Sequence, residues 1–367
     1  MDLAPPPWRR LRLWALLLPL VLLLALAGLL RRPGVGPVSR LEPQVLQASR
    51  LQDRPTIRSG ILVDKVYELD LHSRTFSADG QLWLEWSPDV QHLMDRHGTR
   101  PMDLVRLLNR IETWDSTFET ASPEPTELAA GRRSQLYRFS SRFYDDSIDF
   151  RRDPFDRLSL PIIVEAAQPW MASKYADLAL IPERPAGVLL GESAELSGYE
   201  PSGATFRPYR HHYASRFGGW FAPQLAQVRL EMQYRSNVLS ALISWVLPLL
   251  IVDAIVLMAP SVEGSLGDVR LAIPSTALLT LIFLQQSYHD GLPRLPYPTF
   301  LDDLFACSYV VAMSLFALFV WGTNLYASTP PESRDAVMVR INRVDRRFQI
   351  LSVLGFLGVA LISWCWR

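Results

Sequence analysis

Four apolar stretches of about twenty residues fill the last third of the chain and limit most strongly what it can fold into. They lie near residues 238–258, 270–288, 304–326 and 348–366 of the 367. A helix of ~20 residues crosses the ~30 Å hydrocarbon core of a bilayer. Because no water bonds the backbone there, each segment must satisfy its own peptide groups as a helix. The sequence therefore predicts a four-helix membrane domain over residues 236–367.

A different pattern fills residues 40–235, where short apolar runs alternate with polar residues and are separated by Pro, Gly and Asp. Residues 226–234 place apolar and polar side chains on alternate positions, and residues 81–86 (QLWLEW) do the same. Period two is typical of strands with one buried face. We expect an antiparallel, immunoglobulin-like β-sandwich here, with helical spacing only over about 89–111. The predicted fold class is β plus membrane α.

The first 33 residues predict an export signal or a membrane anchor. Three arginines precede an apolar run that ends at Leu30, and Ala25-Leu26-Ala27 would suit signal cleavage. Arg31 and Arg32 follow closely, so an uncleaved anchor remains the alternative. Either interpretation sends the next segment out of the cytoplasm.

Several functional classes find no support in the composition or the motifs. The 37 basic and 37 acidic residues cancel, so nothing indicates a nucleic-acid partner. Cys307 and Cys365 both lie in apolar segments, so they predict no disulfide in the polar domain. No metal-ligand spacing and no nucleotide or hydrolase motif is present. We therefore expect neither an enzyme nor a resident metal or cofactor.

Charge asymmetry predicts how the membrane domain is oriented. The loop between the last two apolar segments carries five arginines, and positive loops stay in the cytoplasm. This places the β domain and the 290–302 loop together on the outside. The sequence predicts a multi-pass protein of a bacterial plasma (inner) membrane, with the β domain facing the periplasm or exterior.

Segment 270–288 is too polar to face lipid on all sides. At helical spacing one stripe, with steps of four and three residues, runs from small and hydroxyl side chains through large apolar ones to an amide and a carboxylate. Such a stripe suits a pore wall whose apolar middle shuts conduction by dewetting. A bundle helix whose hydroxyls bond to backbone carbonyls is the alternative. The stripe comprises Ala272, Thr276, Leu279, Phe283, Gln286 and Asp290.

Two loops and several strands carry a family resemblance. Residues 292–299 (LPRLPYPT), followed by Asp302, resemble the loop between the second and third membrane helices of the pentameric ligand-gated (Cys-loop) receptor superfamily, above all of its bacterial members. Residues 149–156 (DFRRDPFD) resemble the loop that names the superfamily. Residues 63–67 and 75–79 resemble its first two strands. The resemblance covers about residues 57–366.

The resemblance implies a homopentamer, in which each subunit has four copies of itself as partners and monovalent cations cross the bilayer. Counted back from the loop, Leu279 matches the gate leucine, and Phe283 lies one turn further on as a second gate residue. Asp268 matches a carboxylate at the cytoplasmic mouth, which would form an acidic ring that selects cations. Helix capping is the alternative role for Asp268.

The family also places a coupling interface where the β domain meets the membrane helices. Asp156 and Arg235 stand where it places a charge pair that biases gating, although a static salt bridge is the alternative. We expect this interface to include Pro154, Phe155, Asp156, Arg235, Pro293 and Tyr297.

The resemblance assigns a ligand site between subunits to segments that are rich in aromatic residues. Aromatic boxes suit cationic amines through cation–π attraction, although a place in the core or in a membrane-interface belt is the alternative for each residue. The expected ligand-binding residues are Trp83, Trp114, Phe118, Trp170, Tyr175, Tyr213 and Phe217.

Some positions depart from the family pattern and leave functional alternatives open. The bracketing cysteines are absent, Asp153 replaces an aromatic residue, and Pro274 would remove one backbone hydrogen bond of the pore helix and kink it. Asp253 in the first helix predicts a proton sensor or a partner of a neighbouring Ser or Thr. The leading prediction is a cation channel opened by an extracellular small molecule such as an amine. A proton-gated channel with His289 as one sensor and a non-conducting membrane sensor or adaptor are the alternatives.

Overall fold

The computed structural model describes residues 39–44, 54–166, 178–183, 189–214, 224–263 and 266–366. The chain divides into two compact units. The β unit holds Gly34–Asp149 and Arg157–Ser236, and the helical unit holds Phe150–Asp156 and Asn237–Arg367. The predicted export signal or anchor lies outside the described residues.

The described residues of the β unit form two sheets. The strands are β1 (Ser39–Pro43), β2 (Thr56–Asp70), β3 (Thr75–Trp86), β4 (Val105–Leu107), β5 (Arg110–Ile111), β6 (Thr117–Thr120), β7 (Thr126–Glu127), β8 (Arg133–Tyr144), β9 (Arg157–Ala166), β10 (Ala179–Pro182), β11 (Leu190–Ser193), β12 (Tyr199–Tyr213) and β13 (Gln224–Ser236). In its described part, the first sheet has the order β1-β12-β13-β9-β4. The second has the order β10-β2-β3-β8-β5, with β11 also on β2 and with β6 and β7 also on β8.

The expectation of a wholly antiparallel arrangement is wrong at one place. β10 and β11 both run parallel to β2, whereas all pairs in the first sheet are antiparallel. Parallel neighbours require a crossover connection rather than a hairpin. The chain reaches β10 after β9, a strand of the other sheet, and so it joins β2 without a hairpin.

The alternation predicted for β13 appears as burial in the structure. Val228, Leu230, Met232 and Tyr234 are all fully buried on one face of the strand. Burying apolar side chains contributes ~1.5–3 kcal/mol each, so this face is a main source of stability. Gln227 is the exception, since it is fully buried on the opposite, polar face. Gln227 belongs to a polar cluster around Glu165 of β9.

The helical spacing over 89–111 predicts more helix than the structure contains. Helix α1 (Pro88–His97) ends where Gly98 adopts φ 60° and its N–H bonds to the Met94 carbonyl. Glycine reaches this left-handed conformation without steric cost. A 3₁₀ turn, Pro101–Leu104, and the strand β4 then bury the remaining apolar residues.

Among the described residues, four helices of the helical unit are long and apolar enough to cross a membrane. The β unit followed by membrane helices confirms the predicted class, and the chain is a multi-pass membrane protein. The helices are α2 (Val238–Ser261), α3 (Gly267–Asp290), α4 (Phe300–Ala327) and α5 (Arg334–Trp366).

Two prolines lie inside these helices and are accommodated in different ways. Pro248 of α2 follows a π turn, Leu242–Val246, which widens the helix where the proline ring would meet the preceding turn. Pro274 lies in α3, which nevertheless runs without interruption from Gly267 to Asp290. Pro274 therefore does not break the helix, and the kink stays a prediction.

Polar side chains join neighbouring membrane helices. The Ser308 hydroxyl of α4 donates to Asp253 of α2 at 2.8 Å, and the Ser363 hydroxyl of α5 donates to Asp303 of α4 at 2.6 Å. A polar group in hydrocarbon is costly unless it is bonded, so each pair holds two helices together. The predicted pairing of Asp253 with a Ser or Thr on a neighbouring helix is confirmed.

Leu230→Ala should destabilise the β unit by about 2–5 kcal/mol, because it removes a fully buried side chain and leaves a cavity. Leu128→Ala makes the same chemical change at an exposed site and should cost no more than about 0.5 kcal/mol. Thermal unfolding of the detergent-solubilised chain, followed by circular dichroism, measures both. Equal melting temperatures would contradict the burial of this strand.

Candidate functional site

Helix α3 has two unlike faces. Its buried stripe consists of Arg270, Pro274, Ala277, Leu281 and Tyr288. These positions recur at steps of three, four and seven residues, the spacing that places side chains on one face of a helix. This face packs against α2 and α4 of the same chain.

All seven residues predicted to line a pore lie on the opposite side of α3 and are exposed in the single chain. Leu279 is 54% exposed and Phe283 is 65% exposed, although both are large and apolar. The exposed surface is wider than predicted, since Val269, Ser275 and Ile282 also belong to it. The exposed stripe consists of Asp268, Ala272, Thr276, Leu279, Phe283, Gln286 and Asp290.

Hydroxyl groups on α3 bond to the helix's own backbone. The Ser275 hydroxyl donates to the Leu271 carbonyl at 2.8 Å, and the Thr280 hydroxyl donates to the Thr276 carbonyl at 2.9 Å. The alternative to a pore wall, an ordinary bundle helix, predicts these bonds. The exposed stripe also carries two carboxylates and one amide, and the Gln286 amide donates to Asp290 Oδ1 at 2.9 Å.

The end of α3 is tied to the start of α4. His289 Nε2 lies 2.7 Å from Asp302 Oδ1, and the Gln285 amide donates to the same oxygen at 3.2 Å. Asp302 also caps α4 reciprocally with Thr299, an arrangement that satisfies N–H groups at the helix start. The Asp302 carboxylate therefore joins the end of α3 to the start of α4. His289 contacts Asp302 rather than its neighbour Asp290.

The loop Phe150–Asp156 clusters with the helices, although the sequence assigned it to the β domain. The Tyr288 hydroxyl donates to Asp153 Oδ1 at 2.6 Å and lies 2.9 Å from the Thr299 hydroxyl oxygen. All three side chains are buried. Asp153 therefore joins the loop to α3 through the hydrogen bond with Tyr288.

Backbone and ring contacts fix the same loop from its other side. The Phe300 N–H donates to the Arg151 carbonyl at 2.9 Å, and the Phe150 N–H donates to the Tyr297 hydroxyl at 3.3 Å. Phe155 lies edge-on to Phe300 at 6.1 Å and to Trp364 at 6.0 Å. The loop therefore touches the start of α4, the end of α5 and the segment that precedes α4.

The predicted coupling residues are only partly brought together by these contacts. Phe155 and Tyr297 take part in them, and Asp156 is buried within the loop. Pro154 lies between two contacting residues, Asp153 and Phe155. Arg235 lies 3.8 Å from Glu200, which is a partner that the sequence did not predict. The pairing of Asp156 with Arg235 stays a prediction.

Asp153 titrates near neutral pH. Burial raises the pKa of Asp153 to about 6, the hydrogen bond from Tyr288 lowers it, and the charge of Asp302 raises it further. A carboxyl in a dry environment holds its proton more tightly because the charged form loses its hydration. The loop therefore carries a group whose charge changes between mildly acidic and neutral conditions.

A polar cluster surrounds Glu165 on the first sheet. Arg106 Nε donates to this carboxylate at 2.9 Å, the Gln227 amide donates at 2.6 Å and the Tyr213 hydroxyl donates at 2.8 Å. His211 Nδ1 lies 2.6 Å from the Gln227 amide nitrogen, and its ring stacks on Tyr213 at 4.1 Å. Four strands therefore contribute to the cluster.

Electrostatics keep this cluster charged. Burial alone would raise the pKa of Glu165, but the hydrogen bond with His211, the charge of Arg106 and the amide of Gln227 outweigh it, so that the pKa is lowered. Burial and the adjacent carboxylate raise the pKa of Tyr213. At neutral pH the cluster holds an ionised carboxylate and a protonated phenol.

Trp83 lies on the outward face of the second sheet. Its indole N–H donates to Glu183, and Gly60 passes beneath the ring so closely that a Cβ there would lie 2.1 Å from it. Glycine is required at this approach. A cavity of about 260 Å³ opens further along the sheet, lined by Thr56, Arg58, Glu85, Trp86, Ser87, Arg132 and Ile181.

The remaining predicted ligand residues have separate surroundings. Trp114 is 86% exposed in a short 3₁₀ turn. Phe118 lies against the core residue Tyr137, with ring centroids 5.5 Å apart, so its ring packs on the core as the alternative held. Trp83 and Tyr213 belong to different sheets. Trp170, Tyr175 and Phe217 lie outside the described residues.

Sequence reasoning missed Glu165, His211 and Tyr288. His211 is buried, whereas Nε2 of the neighbouring His212 lies 3.3 Å from Glu42. A carboxylate at the end of the apolar run 160–164 was the one signal for Glu165. No signal marked Tyr288 as the partner of the loop.

The comparisons and a search for metal ligands add no assignment. In the part of the chain that the structure describes, no group of three or more His, Cys, Asp or Glu side chains is placed to hold a metal ion. No protein-family model matches this chain, and no curated protein matches it. The resemblance therefore depends on the sequence motifs alone.

Glu165→Gln should destabilise the β unit by about 3 kcal/mol, because it leaves the Arg106 guanidinium partly buried without a counter-charge. Glu42→Gln removes an exposed carboxylate from the same sheet and should be nearly neutral, within about 0.5 kcal/mol. Thermal unfolding of both variants tests this difference. Equal stabilities would mean that the cluster contributes no net energy.

Asp153→Asn should change how stability depends on pH. The folded carboxyl binds its proton more tightly than an ordinary carboxyl of pKa 3.8, so the wild type gains stability as the pH falls from about 6 to about 4. The asparagine lacks this titration. The melting temperature of the wild type minus that of the variant should therefore rise between pH 7 and pH 5.

Asp335→Asn, which removes an exposed carboxylate of α5, serves as the control and should show no such trend. If the melting temperature of the wild type minus that of Asp153→Asn stays constant, or falls on acidification, Asp153 is ionised throughout this range.

Proposed function

We propose that this chain is one subunit of a homopentameric cation channel of the Cys-loop receptor superfamily, a bacterial member opened by an extracellular small molecule. The β unit would form an immunoglobulin-like sandwich on the periplasmic or outer side of the plasma (inner) membrane. The helices would form the pore. The observation that carries the proposal is the exposed stripe of α3.

The exposed stripe has the composition that a pore wall requires. Lipid-facing surfaces are apolar, because a carboxylate or amide in hydrocarbon is costly. The exposed stripe instead carries Asp268 at one end, Gln286 and Asp290 at the other, and Thr276 between them. The buried stripe on the opposite side is already covered by the subunit's own helices. If several copies of the chain surrounded a water-filled pore with their exposed stripes, these polar side chains would face water instead of lipid.

Leu279 and Phe283 would close the pore. Each is a large apolar side chain that is more than half exposed in the single chain, in the middle of a stripe with polar ends. Rings of such side chains exclude water from a narrow channel and so block ions. Rings of Asp268 and Asp290 at the two mouths would concentrate cations and repel chloride.

A cationic amine fits the proposed site between subunits. Trp83 lies beside the carboxylate of Glu183, and Tyr213 supplies an aromatic ring on the other sheet. An aromatic ring next to a carboxylate attracts an ammonium group both through the ring face and through charge. These two residues belong to different sheets, so neighbouring subunits would each contribute one of them.

The loop Phe150–Asp156 would transmit binding to the gate. It contacts α3 through Tyr288 and contacts the start of α4 through Phe300. A change in the strands that flank this loop would therefore reach the pore helix directly. Two alternative packings of one such loop are sufficient to bias a gate.

Protons are the second candidate stimulus, and Asp153 favours them. Its carboxyl is buried against Tyr288 of the pore helix, and burial raises its pKa to about 6. Gaining or losing one charge at this contact would change how firmly the loop holds α3. This candidate differs from the first only in what opens the channel.

Leu279→Ala should open the pore without any agonist, because a smaller side chain lets water wet the constriction. Sodium and chloride reporters in liposomes that contain the purified pentamer should then show a sodium leak at least about tenfold above wild type. Leu281→Ala makes the same change on the buried face of α3 and should not leak. In the Leu279→Ala background, Asp268→Asn should raise chloride entry relative to sodium.

The outcomes separate the candidates. A chloride leak from Leu279→Ala alone would keep the channel and refute the role of Asp268. Silence of a folded, pentameric Leu279→Ala protein would refute conduction and favour a non-conducting sensor. A leak in wild type that appears only on acidification would favour protons over a small molecule.

A further inference from the structure

A second charge lies beside the proposed cation-selecting ring. Arg270 follows Asp268 by two residues in the first turn of α3, about 3 Å further along the helix axis. Two residues rotate the side-chain direction by about 200°, so the two charges point to opposite faces of the helix. Asp268 is exposed, whereas Arg270 is buried.

The buried guanidinium has one charged partner in the described part of the chain. Arg270 Nη2 forms an ion pair with Asp345 of α5, and both side chains are only 3% exposed. The guanidinium carbon lies 4.1 Å from the ring centre of Phe319 in α4. Among the described residues, Arg270 Nε and Asp345 Oδ1 have no hydrogen-bond partner. Each charge therefore depends on the other for neutralisation.

The surrounding helices pack closely enough to keep this pair dry. A Cβ at Gly267 would lie 2.9 Å from the Thr323 side chain, and a Cβ at Gly322 would lie 3.6 Å from Ile341. Ile341 and Asp345 share the buried side of α5, one turn apart. The neighbouring arginines of α5, Arg343, Arg346 and Arg347, are exposed.

We propose that Asp345 is a specificity-determining residue of the channel, which neutralises Arg270 so that the Asp268 ring alone sets the sign of charge at this mouth. This inference rests on the proposed function. Asp345 acts through Arg270 and touches no ion. Its position far along the sequence, in the last helix, gives no hint of a role at the pore.

Removal of Asp345 would leave a full positive charge within one helical turn of the mouth. A charge in a low-dielectric environment is weakly screened, so its field would reach the ring of Asp268. An unpaired guanidinium is also costly to bury, which favours its turning toward water at the mouth. The summed charge of Asp268, Arg270 and residue 345 would change from minus one to zero in each subunit. Cations would then lose their advantage over chloride.

The test measures reversal potentials across a sodium chloride gradient in planar bilayers, with all variants in the Leu279→Ala background. Asp345→Asn should lower the sodium-to-chloride permeability ratio about tenfold, the smaller end of what a focused charge supplies. The double variant Arg270→Gln with Asp345→Asn removes both charges and should restore the ratio. Asp345→Glu keeps the charge and should preserve the ratio.

Asp335→Asn is the matched control, because it removes an exposed carboxylate from the same helix and should leave the ratio unchanged. If Asp345→Asn fails to assemble as a pentamer, Arg270→Gln takes its place. In that variant the buried Asp345 has no counter-charge and takes up a proton, so Asp268 alone still sets the charge at the mouth and the ratio should equal that of the Leu279→Ala parent. A higher ratio would overturn the inference, because it would show that Arg270 already weakens the ring.

Two failures are distinguishable. If Leu279→Ala conducts and Asp345→Asn leaves the ratio unchanged in a folded pentamer, Asp345 has only a packing role and the inference is overturned. The inference is also overturned if the double variant stays as unselective as Asp345→Asn. If Leu279→Ala conducts nothing, the proposed function itself fails and the inference fails with it.

Discussion

The side chain of Tyr288 joins the loop Phe150–Asp156, α2 and α4 to α3. It donates to Asp153 of the loop and lies beside Thr299 ahead of α4, while its ring meets Trp245 of α2 at 5.4 Å and Phe305 of α4 at 6.3 Å. Tyr288 also ends the buried stripe of α3. These contacts fix the rotation of α3 about its own axis at this end. They therefore also fix the direction in which the exposed stripe points.

Polar pairs supply the specificity that apolar packing lacks within the membrane helices. Leucine side chains pack as well against lipid as against each other, so they do not decide which helices become neighbours. The pairs of Asp253 with Ser308, of Asp303 with Ser363 and of Arg270 with Asp345 each join two different helices. Together they fix how α2, α3, α4 and α5 are arranged.

The sequence predicts those features that depend on local periodicity. Length and hydropathy predict the four membrane helices, and period two predicts the buried face of β13, because both signals come from neighbouring residues. The cluster around Glu165 could not be predicted in this way. Arg106, His211 and Gln227 approach it only through the register of four strands that are distant in sequence. Asp153 was visible as a departure from the family pattern, but its partner Tyr288 lies 135 residues away. The end of α1 at Gly98 also required a backbone conformation that spacing alone does not reveal.

The loop Phe150–Asp156 has one further property, which comes from the strands at its two ends. It is entered from β8 of the second sheet and left through β9 of the first, so its seven residues link both sheets while their side chains are held by helices. If the two sheets slide by different amounts, the ends of the loop move apart or together while its middle stays anchored. The loop would then respond to the difference between the two movements and not to a motion that both sheets share.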